Sequence, residues 1–287
     1  MRLLAISDLH LNYEANRRAL SVLPSHRDDW LALAGDVGSR EEDLEFALDV
    51  LLPRFERVAW VPGNHDLWSV DGEDSGARGE ARYERLVSIC RSRGVLTPED
   101  PYEVWPGDGP PCLLAPLFLL YDYSFRPDEV PEERAVDWAA ESGVLCADER
   151  YLYPDPWPSR QAWCRERTRR TAERLAALPA YRRAVLVNHF PLRRDLTRIP
   201  RIPRFTVWCG TRETEDWHIR FRAAAVVSGH LHVRATDWRD GVRFEEVSLG
   251  YPHQWHEERG LEGYLREILP GPASGPSSGN GGPVWRR

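Results

Sequence analysis

Short apolar runs alternate with amphipathic stretches through most of this chain. Five runs rich in Val, Leu, Ile and Ala, each followed at once by polar residues, lie at residues 2–7, 30–34, 58–61, 184–187 and 224–228. Runs of this length and composition are typical of buried β-strands. Their alternation with helical patterns predicts an α/β domain.

Helical stretches are recognised by apolar residues that recur on one helix face. The clearest stripe has the spacing i, i+3, i+4, i+7, i+8 and consists of Leu44, Ala47, Leu48, Leu51 and Leu52. We predict helices over residues 14–23, 41–55, 78–93 and 159–178, and a short helix near 132–142. Two further strands are predicted over 233–238 and 242–248, and a polar, glycine-rich loop over 71–79.

We expect one domain followed by a disordered tail. The strand-forming runs span so much of the 287 residues that a single domain over residues 1–269 is the better interpretation. From Pro270 onward Gly, Pro and Ser dominate, which is typical of disorder, so we predict a disordered tail over 270–287.

Composition narrows the cellular context. No apolar run reaches the ~20 residues that would cross a bilayer, and the first strand begins at Arg2, so we expect neither a membrane span nor a signal peptide. The five cysteines form no CxxC pair and are expected to be reduced, as in a cytoplasmic protein. A net charge of −7 argues against nucleic acid as a partner.

Metal-binding residue types follow each of the five apolar runs. In chain order these motifs are Asp8-Leu9-His10, Gly35-Asp36, Gly63-Asn64-His65-Asp66, Asn188-His189 and Gly229-His230-Leu231-His232. In α/β sheets the loops after the carboxyl ends of the strands gather on one side, where ligands bind. Aspartate and histidine are ligands for Mn, Fe, Zn and Ni. The sequence therefore predicts a metal-centred active site.

The order of these motifs resembles that of the calcineurin-like metallophosphoesterases, over roughly residues 1–250. The resemblance implies a four-layer α/β/β/α sandwich of two mixed sheets and a site for two divalent or mixed-valence metal ions. It further implies that one ion is bound by Asp8, His10 and His232, the other by Asn64, His189 and His230, and that Asp36 bridges both. The ligands do not select between Mn, Fe, Zn and Ni.

Two metal ions ~3.5–4 Å apart can activate water and clamp the oxygens of a phosphoryl group. His65 resembles the catalytic histidine of the family, which stabilises the transition state and can protonate the leaving oxygen. Asp66 is expected either to hold the His65 imidazole in orientation or to serve a purely structural role.

Three residues are candidates for substrate contacts. Arg40 lies four residues after Asp36, the offset of a phosphate-contacting arginine in the Ser/Thr protein phosphatases, although the rest of that motif is missing. Tyr123 belongs to an irregular, aromatic-rich insertion near 121–159 that is expected to lie over the catalytic face. Arg193 begins an arginine-rich loop that continues to residue 212. For each, a structural or solvated role is an open alternative.

The leading functional prediction is an enzyme that hydrolyses a phosphate ester of a small molecule, either a monoester or a nucleotide-like diester. Two alternatives are open: a specialised biosynthetic hydrolase that uses the same dimetal site, and a catalytically silent metal-binding scaffold. The purple acid phosphatases fit less well, because they carry tyrosine where this chain has Ser39. The Ser/Thr phosphatases fit less well because they carry glutamate at the position of Asp66.

Overall fold

The structure is a computed structural model that describes residues 1–70, 76–272, 276 and 279–286. Parts of two predicted segments, the loop 71–79 and the disordered tail 270–287, lie outside the described residues, namely 71–75, 273–275, 277–278 and 287.

Strands and helices alternate along the chain as predicted. The strands are β1 (Leu3–Ile6), β2 (His26–Leu33), β3 (Phe55–Trp60), β4 (Glu103–Trp105), β5 (Cys112–Pro116), β6 (Arg183–Val187), β7 (Ala223–Ser228), β8 (Ala235–Arg239), β9 (Val242–Glu246), β10 (Arg266–Leu269) and β11 (Gly281–Trp285). The helices are α1 (Glu14–Ser21), α2 (Glu41–Leu51), α3 (Asn64–Leu67), α4 (Glu80–Ser92), α5 (Ala135–Ala140), α6 (Asp148–Tyr151), α7 (Arg160–Ala176) and α8 (Trp217–Arg220). Short 3₁₀ turns connect several of them.

The strands form two mixed sheets. The first has the order β10-β1-β2-β3, and the second has the order β11-β8-β9-β7-β6-β5-β4. Within the first, β1, β2 and β3 are parallel and β10 is antiparallel. Within the second, β5, β6, β7 and β9 are parallel to one another. Strand β4 pairs antiparallel with β5, β8 with β9, and β11 with β8.

The alternation of side chains along each strand places one face of each sheet against the other sheet. Leu3 and Ala5 of β1 pack in one buried cluster with Val185 of β6 and Ala225 of β7. The residue between them, Leu4, points the other way, into the core formed with the first group of helices. A third cluster packs the second sheet against α7 and α8. The predicted four-layer α/β/β/α sandwich of two mixed sheets is confirmed.

The predicted element boundaries hold to within a few residues, with one larger difference. The helix predicted over 41–55 ends at Leu51, and Phe55 already begins β3. Phe55 prolongs the apolar pattern beyond Leu52, but it is buried as the first residue of a strand and not as part of the helix. Periodicity alone does not separate these two kinds of burial.

The C-terminal tail contains an ordered strand. Strand β11 pairs antiparallel with β8, and the Arg286 side chain donates hydrogen bonds to Thr236 Oγ1, to Glu245 Oε2 at 2.6 Å and to the backbone oxygen of Glu246. The structure thus has a strand at Gly281–Trp285, within the tail for which the sequence analysis expected disorder. A Gly/Pro-rich composition predicted disorder, but a buried carboxylate and an open sheet edge provide partners that the local sequence does not show.

None of the described helices has the length and apolar character needed to cross a membrane. The five cysteines are free thiols.

Candidate metal centre

The five motifs meet where the two sheets end on the same side of the sandwich. Asp8 and His10 follow β1, Asp36 follows β2, Asn64 and His65 follow β3, His189 follows β6, and His230 and His232 follow β7. Each sheet therefore contributes about half of the site. The Asp8 Oδ2 joins the halves, since it accepts hydrogen bonds from the backbone N–H of His230 (3.0 Å) and from the Ser248 hydroxyl (2.7 Å).

The backbone at the site is held in an unusual conformation. Five of the predicted ligands have positive φ angles between 43° and 72°: Asp8, His10, Asp36, His230 and His232. Non-glycine residues seldom adopt this left-handed region, and such strain concentrates at functional sites. Here it turns the chain after β1, β2 and β7, so that side chains from these loops point at a common centre.

The first predicted ligand group is assembled around Asp8. His232 Nε2 lies 2.9 Å from Asp8 Oδ1 and 3.2 Å from His10 Nε2. The other ring nitrogen of His232 donates to Gln254 Oε1 at 2.7 Å, so Nε2 is the atom that faces the centre. Sequence reasoning did not identify Gln254, because it belongs to none of the motifs.

The second predicted ligand group surrounds the Asn64 amide oxygen. It lies 3.1 Å from His189 Nε2 and 3.2 Å from His230 Nδ1. His189 Nδ1 donates to the Ala34 carbonyl at 2.9 Å, which leaves Nε2 as the inward-facing atom. His189 Nε2 is also 3.4 Å from Asp36 Oδ2.

The carboxylate and imidazole atoms at this centre, and the distances between them, suit the binding of metal ions. Among the residues that the structure describes, three groups have carboxylate and imidazole atoms within 4.8 Å of one another: Asp8, His10 and His232; His10, Asp36 and His65; and Asp8, Asp36 and His189. Asp8, His10 and Asp36 each belong to two of these groups, so the grouping by itself does not single out the bridging residue. His65 also lies within reach of a metal, so the distances alone do not separate it from the ligands.

The charges at the site also favour bound cations. Burial raises the pKa of Asp36 well above its usual range, and the neighbouring Asp8 carboxylate adds to the effect. Burial lowers the pKa of His10 to about 3, so this imidazole is neutral and has a free lone pair. A cation at the centre would stabilise the ionised form of Asp36, and the neutral His10 imidazole is in the form that metal binding requires.

The motif glycines allow the loops to pack closely. Gly35 has a φ of +89°, and a Cβ there would lie 2.7 Å from both the Gly63 backbone nitrogen and His189 Nδ1. A Cβ on Gly63 would overlap the Asp36 carboxylate. Any larger residue at either position would push metal-facing side chains apart.

His65 lies at the edge of this centre between two other rings. Its imidazole packs edge-on against His10, with centroids 4.6 Å apart, and stacks on the Trp68 indole at 3.7 Å. Its Nε2 is 3.9 Å from Asp36 Oδ2, and its side chain is 14% exposed. Burial and the neighbouring His10 hold the pKa of His65 well below its usual value. The ring is thus fixed, close to the predicted metals and partly open to solvent.

Asp66 contacts the backbone that carries the bridging aspartate. Its two carboxylate oxygens accept hydrogen bonds from the N–H groups of Asp36 (2.8 Å), Val37 (3.0 Å), Gly38 (3.4 Å) and Gly63 (2.8 Å). Among the described contacts none joins this carboxylate to the His65 ring. The carboxylate ties the loops after β2 and β3 together, which favours the structural alternative for Asp66, and its role stays a prediction.

Asp148, from the predicted insertion, lies directly behind the site. It is fully buried, and its carboxylate accepts hydrogen bonds from Asn64 Nδ2 (2.9 Å), Trp68 Nε1 (2.7 Å) and the Tyr121 hydroxyl (3.0 Å). Burial raises the pKa of Asp148, and these three donors oppose the shift. Sequence reasoning missed this residue because nothing in its local sequence distinguishes it from the other acidic residues of the insertion.

The three candidate substrate residues lie in different surroundings. Tyr123 is buried, donates to Glu149 Oε1 at 2.8 Å and accepts from Arg160. Arg193 bonds to Asp195 and to the backbone oxygen of Glu215. Arg40 is exposed at the start of α2. The polar groups of Tyr123 and Arg193 thus make hydrogen bonds within the protein, and a role for any of the three residues in substrate binding stays a prediction.

Two tyrosines outside the motifs form the rim of the site. The Tyr251 ring stacks on His10 with centroids 4.6 Å apart, and Tyr13 packs edge-on against Tyr251 at 5.6 Å. Tyr13 is 41% exposed. No motif marks either residue, so only their position in space reveals them.

Comparison with known proteins agrees with this geometry. The sequence model of the family described as calcineurin-like phosphoesterase matches residues 1–234. The chain belongs to this family. The predicted resemblance is confirmed, and so is the prediction of an enzyme that hydrolyses phosphate esters. Dinuclear metal centres are the rule among calcineurin-like phosphoesterases, and the Asp and His groups described above could hold such a centre.

One relative is similar to this phosphoesterase over nearly the whole length of this chain. The acyl-carrier-protein phosphodiesterase PptH of Mycobacterium tuberculosis (strain ATCC 25618 / H37Rv) is 47% identical over 274 residues, which are 95% of this chain and 84% of that protein. The crystal structure of phosphopantetheinyl hydrolase (PptH) from Mycobacterium tuberculosis covers 96% of this chain and 98% of its own, with a TM-score of 0.90 and 47% sequence identity.

Proposed function

We propose that this chain is a dimetal phosphodiesterase that releases the phosphopantetheinyl group from a serine of an acyl-carrier protein. The observation that carries the proposal is the likeness to phosphopantetheinyl hydrolase, at a TM-score of 0.90 and 47% identity over 96% of the chain. This substrate is a phosphodiester attached to a protein. The specialised biosynthetic hydrolase, an alternative in the sequence analysis, is therefore better supported than hydrolysis of a small phosphorylated molecule.

We assign Asp8, His10 and His232 to one metal ion and Asn64, His189 and His230 to the other, with Asp36 between them. The support is the convergence of these atoms and the order of the motifs. Two ions bound there would activate a water molecule and offset the negative charge on the phosphoryl oxygens.

We assign His65 as the general acid that protonates the leaving group. Water would lose one proton to solvent on activation, its oxygen then bonds to phosphorus, and the bond from phosphorus to the serine oxygen breaks. The serine oxygen takes a proton from the His65 imidazolium, so the products are a free serine hydroxyl and a phosphopantetheine monoester. The free ring is neutral because burial lowers its pKa. An anionic phosphodiester beside it would favour the protonated form.

The rim tyrosines suit a substrate with a long organic chain. Tyr251 and Tyr13 extend from His10 towards solvent and offer ring faces to the groups attached to the phosphate. The surface around Tyr13 is open, so a bulky carrier protein could approach from this side.

The test is incubation of the Mn-loaded protein with a holo-acyl-carrier protein, followed by mass spectrometry of the carrier and of the released product. We expect apo-carrier and phosphopantetheine, with a kcat/KM above that for a panel of phosphomonoesters and cyclic nucleotides. His65→Gln, folded and metal-loaded, is the matched control and should release far less. An unchanged holo-carrier alongside efficient hydrolysis of a panel compound would overturn the carrier assignment and favour the small-molecule reaction.

A further inference from the structure

The segment predicted as an insertion supplies a carboxylate to the inner wall of the metal centre. Asp148 opens the short helix α6 and is 0% exposed. Its two neighbours in the site, Asn64 and Trp68, lie 84 and 80 residues away in the chain. A fully buried carboxylate is retained only where its hydrogen-bonding partners offset the cost of desolvation. The identity of those partners indicates what Asp148 does.

The first partner is a predicted metal ligand. Asn64 Nδ2 donates to Asp148 Oδ1 at 2.9 Å, so the amide oxygen of Asn64 must point the opposite way, to His189 and His230. An ionised carboxylate only accepts hydrogen bonds. It therefore selects the amide rotamer that presents oxygen, and not nitrogen, to a cation.

The second partner supports the predicted general acid. Trp68 Nε1 donates to the same Asp148 oxygen at 2.7 Å. The indole of Trp68 in turn stacks on the His65 ring, with centroids 3.7 Å apart. One oxygen atom thus fixes both the amide that faces one metal position and the ring on which His65 rests.

We propose that Asp148 is a positioning residue that orients Asn64 towards the second metal ion and, through Trp68, holds His65 against the leaving group. The proposal rests on the dimetal function proposed above. It makes the segment 121–159 a part of the catalytic apparatus, beyond any effect that this segment has on substrate choice.

The chain offers a matched set of variants. Asp148→Ala removes the shared acceptor. Asp148→Asn keeps a carbonyl oxygen for Asn64 and Trp68 and turns its amide towards the Tyr121 hydroxyl, so it is the conservative rescue. Tyr121→Phe removes only the hydrogen bond to the other carboxylate oxygen, Oδ2. Trp68→Phe removes the indole N–H and keeps an aromatic ring beside His65.

The measurements are bound metal at limiting Mn, the melting temperature, and the ratio of rates on a nitrophenyl and an alkyl ester of the same phosphate. Removing an outer partner of a metal ligand typically costs about 10- to 100-fold in metal affinity or activity. We expect Asp148→Ala to lower the affinity for one of the two ions by about this factor. Asp148→Asn should keep most of the affinity of the unmodified protein. Tyr121→Phe should melt lower but keep the metal content and the rate ratio of the unmodified protein.

Trp68→Phe should keep both metals and lose about tenfold on the alkyl ester, with a smaller loss on the nitrophenyl ester. Tenfold is a part of the ~10²–10⁴-fold that general acid catalysis contributes. Unchanged metal binding and rate ratio in folded Asp148→Ala would overturn the proposal, as would an identical effect of Tyr121→Phe. If Asp148→Ala does not fold, an unchanged rate ratio in Trp68→Phe overturns it instead. Failure of the unmodified protein to bind two ions and to cleave either ester would count against the proposed function itself.

Discussion

At the scale of single residues, two side chains of the same type can have different roles because their surroundings differ. Asp36 and Asp66 are both buried aspartates at the ends of strands. Asp36 faces the imidazoles of His65 and His189, whereas Asp66 accepts hydrogen bonds from four backbone N–H groups. The first is therefore available to a metal ion, and the second maintains the loop that presents it.

His65→Gln separates proton donation from charge stabilisation. The variant removes no assigned ligand, so metal content should stay near that of the unmodified protein. General acid catalysis is typically worth ~10²–10⁴-fold, which corresponds to about 3–5 kcal/mol of barrier. We expect a loss in this range for an alkyl leaving group and a clearly smaller one for a nitrophenolate, measured on one metal-quantified preparation. Equal losses on the two esters would mean that His65 acts by charge or position and not as an acid.

Asp36→Asn and His10→Ala test the bridging assignment. Asp36 is the assigned bridge, so its replacement should weaken the binding of both ions, whereas His10 is assigned to one ion and its loss should chiefly weaken the binding of that ion. We expect total bound metal, measured by elemental analysis after desalting, to fall further in Asp36→Asn. Two full equivalents of metal in the folded Asp36→Asn protein would contradict a bridging role.

At the scale of secondary-structure elements, the loops after the strands are held by partners from distant elements. Asp148 of α6 binds Asn64 at the start of α3, and Asp66 of α3 binds the loop after β2. The segment 121–159 is thus packed into the site, and replacing it with a short linker should damage the metal centre along with any effect on specificity.

The C-terminal strand is a second element whose contribution can be measured. Arg286 donates to the buried carboxylate of Glu245 and to the backbone oxygen of Glu246, on the strand that precedes Ser248. Its removal leaves Glu245 with fewer donors. We expect Arg286→Ala to lower the free energy of unfolding by about 1–3 kcal/mol, as for other hydrogen bonds to charged groups, measured by urea denaturation. Val284→Ala, at a 61% exposed position of the same strand, should cost under about 0.5 kcal/mol. Equal effects of the two variants would mean that the Arg286 contacts contribute nothing.

At the scale of the whole molecule, the site exists only when both sheets are in place. Asp8, after β1 of the first sheet, accepts hydrogen bonds from His230 and Ser248, which follow strands of the second sheet. The small residues Ala5, Ala32 and Ala225 are part of the cluster buried between the sheets. Metal binding and folding are therefore expected to be coupled.

Metal removal should reveal this coupling. A ligand that binds only the folded state stabilises it by RT ln(1 + [L]/Kd), about 2.7 kcal/mol at a hundredfold excess over Kd. We expect chelation to lower the melting temperature by several degrees and added Mn to restore it, measured by differential scanning fluorimetry. His65→Gln should show the same shift, and Asp36→Asn should show little. An unchanged melting temperature after chelator is added to the metal-quantified protein would contradict the coupling.

The sequence by itself determined the residues of the site and the architecture that gathers them. Apolar runs and the polar residues at their ends are local features, and parallel strands bring their carboxyl ends to one edge whatever lies between them. Asp8, His10, Asp36, Asn64 and His189 could therefore be found without coordinates. The metals bound there and a cytoplasmic location stay predictions.

The tertiary structure alone decided which groups hold those residues in place. Asp66 was expected beside an imidazole but accepts four backbone N–H bonds, Asp148 was not distinguished from other acids, and Arg286 was placed in a disordered tail. Each of these roles depends on the distance between atoms that are tens of residues or more apart in the chain. Local composition and periodicity carry no information about such distances, because they arise only when loops and sheet edges pack together.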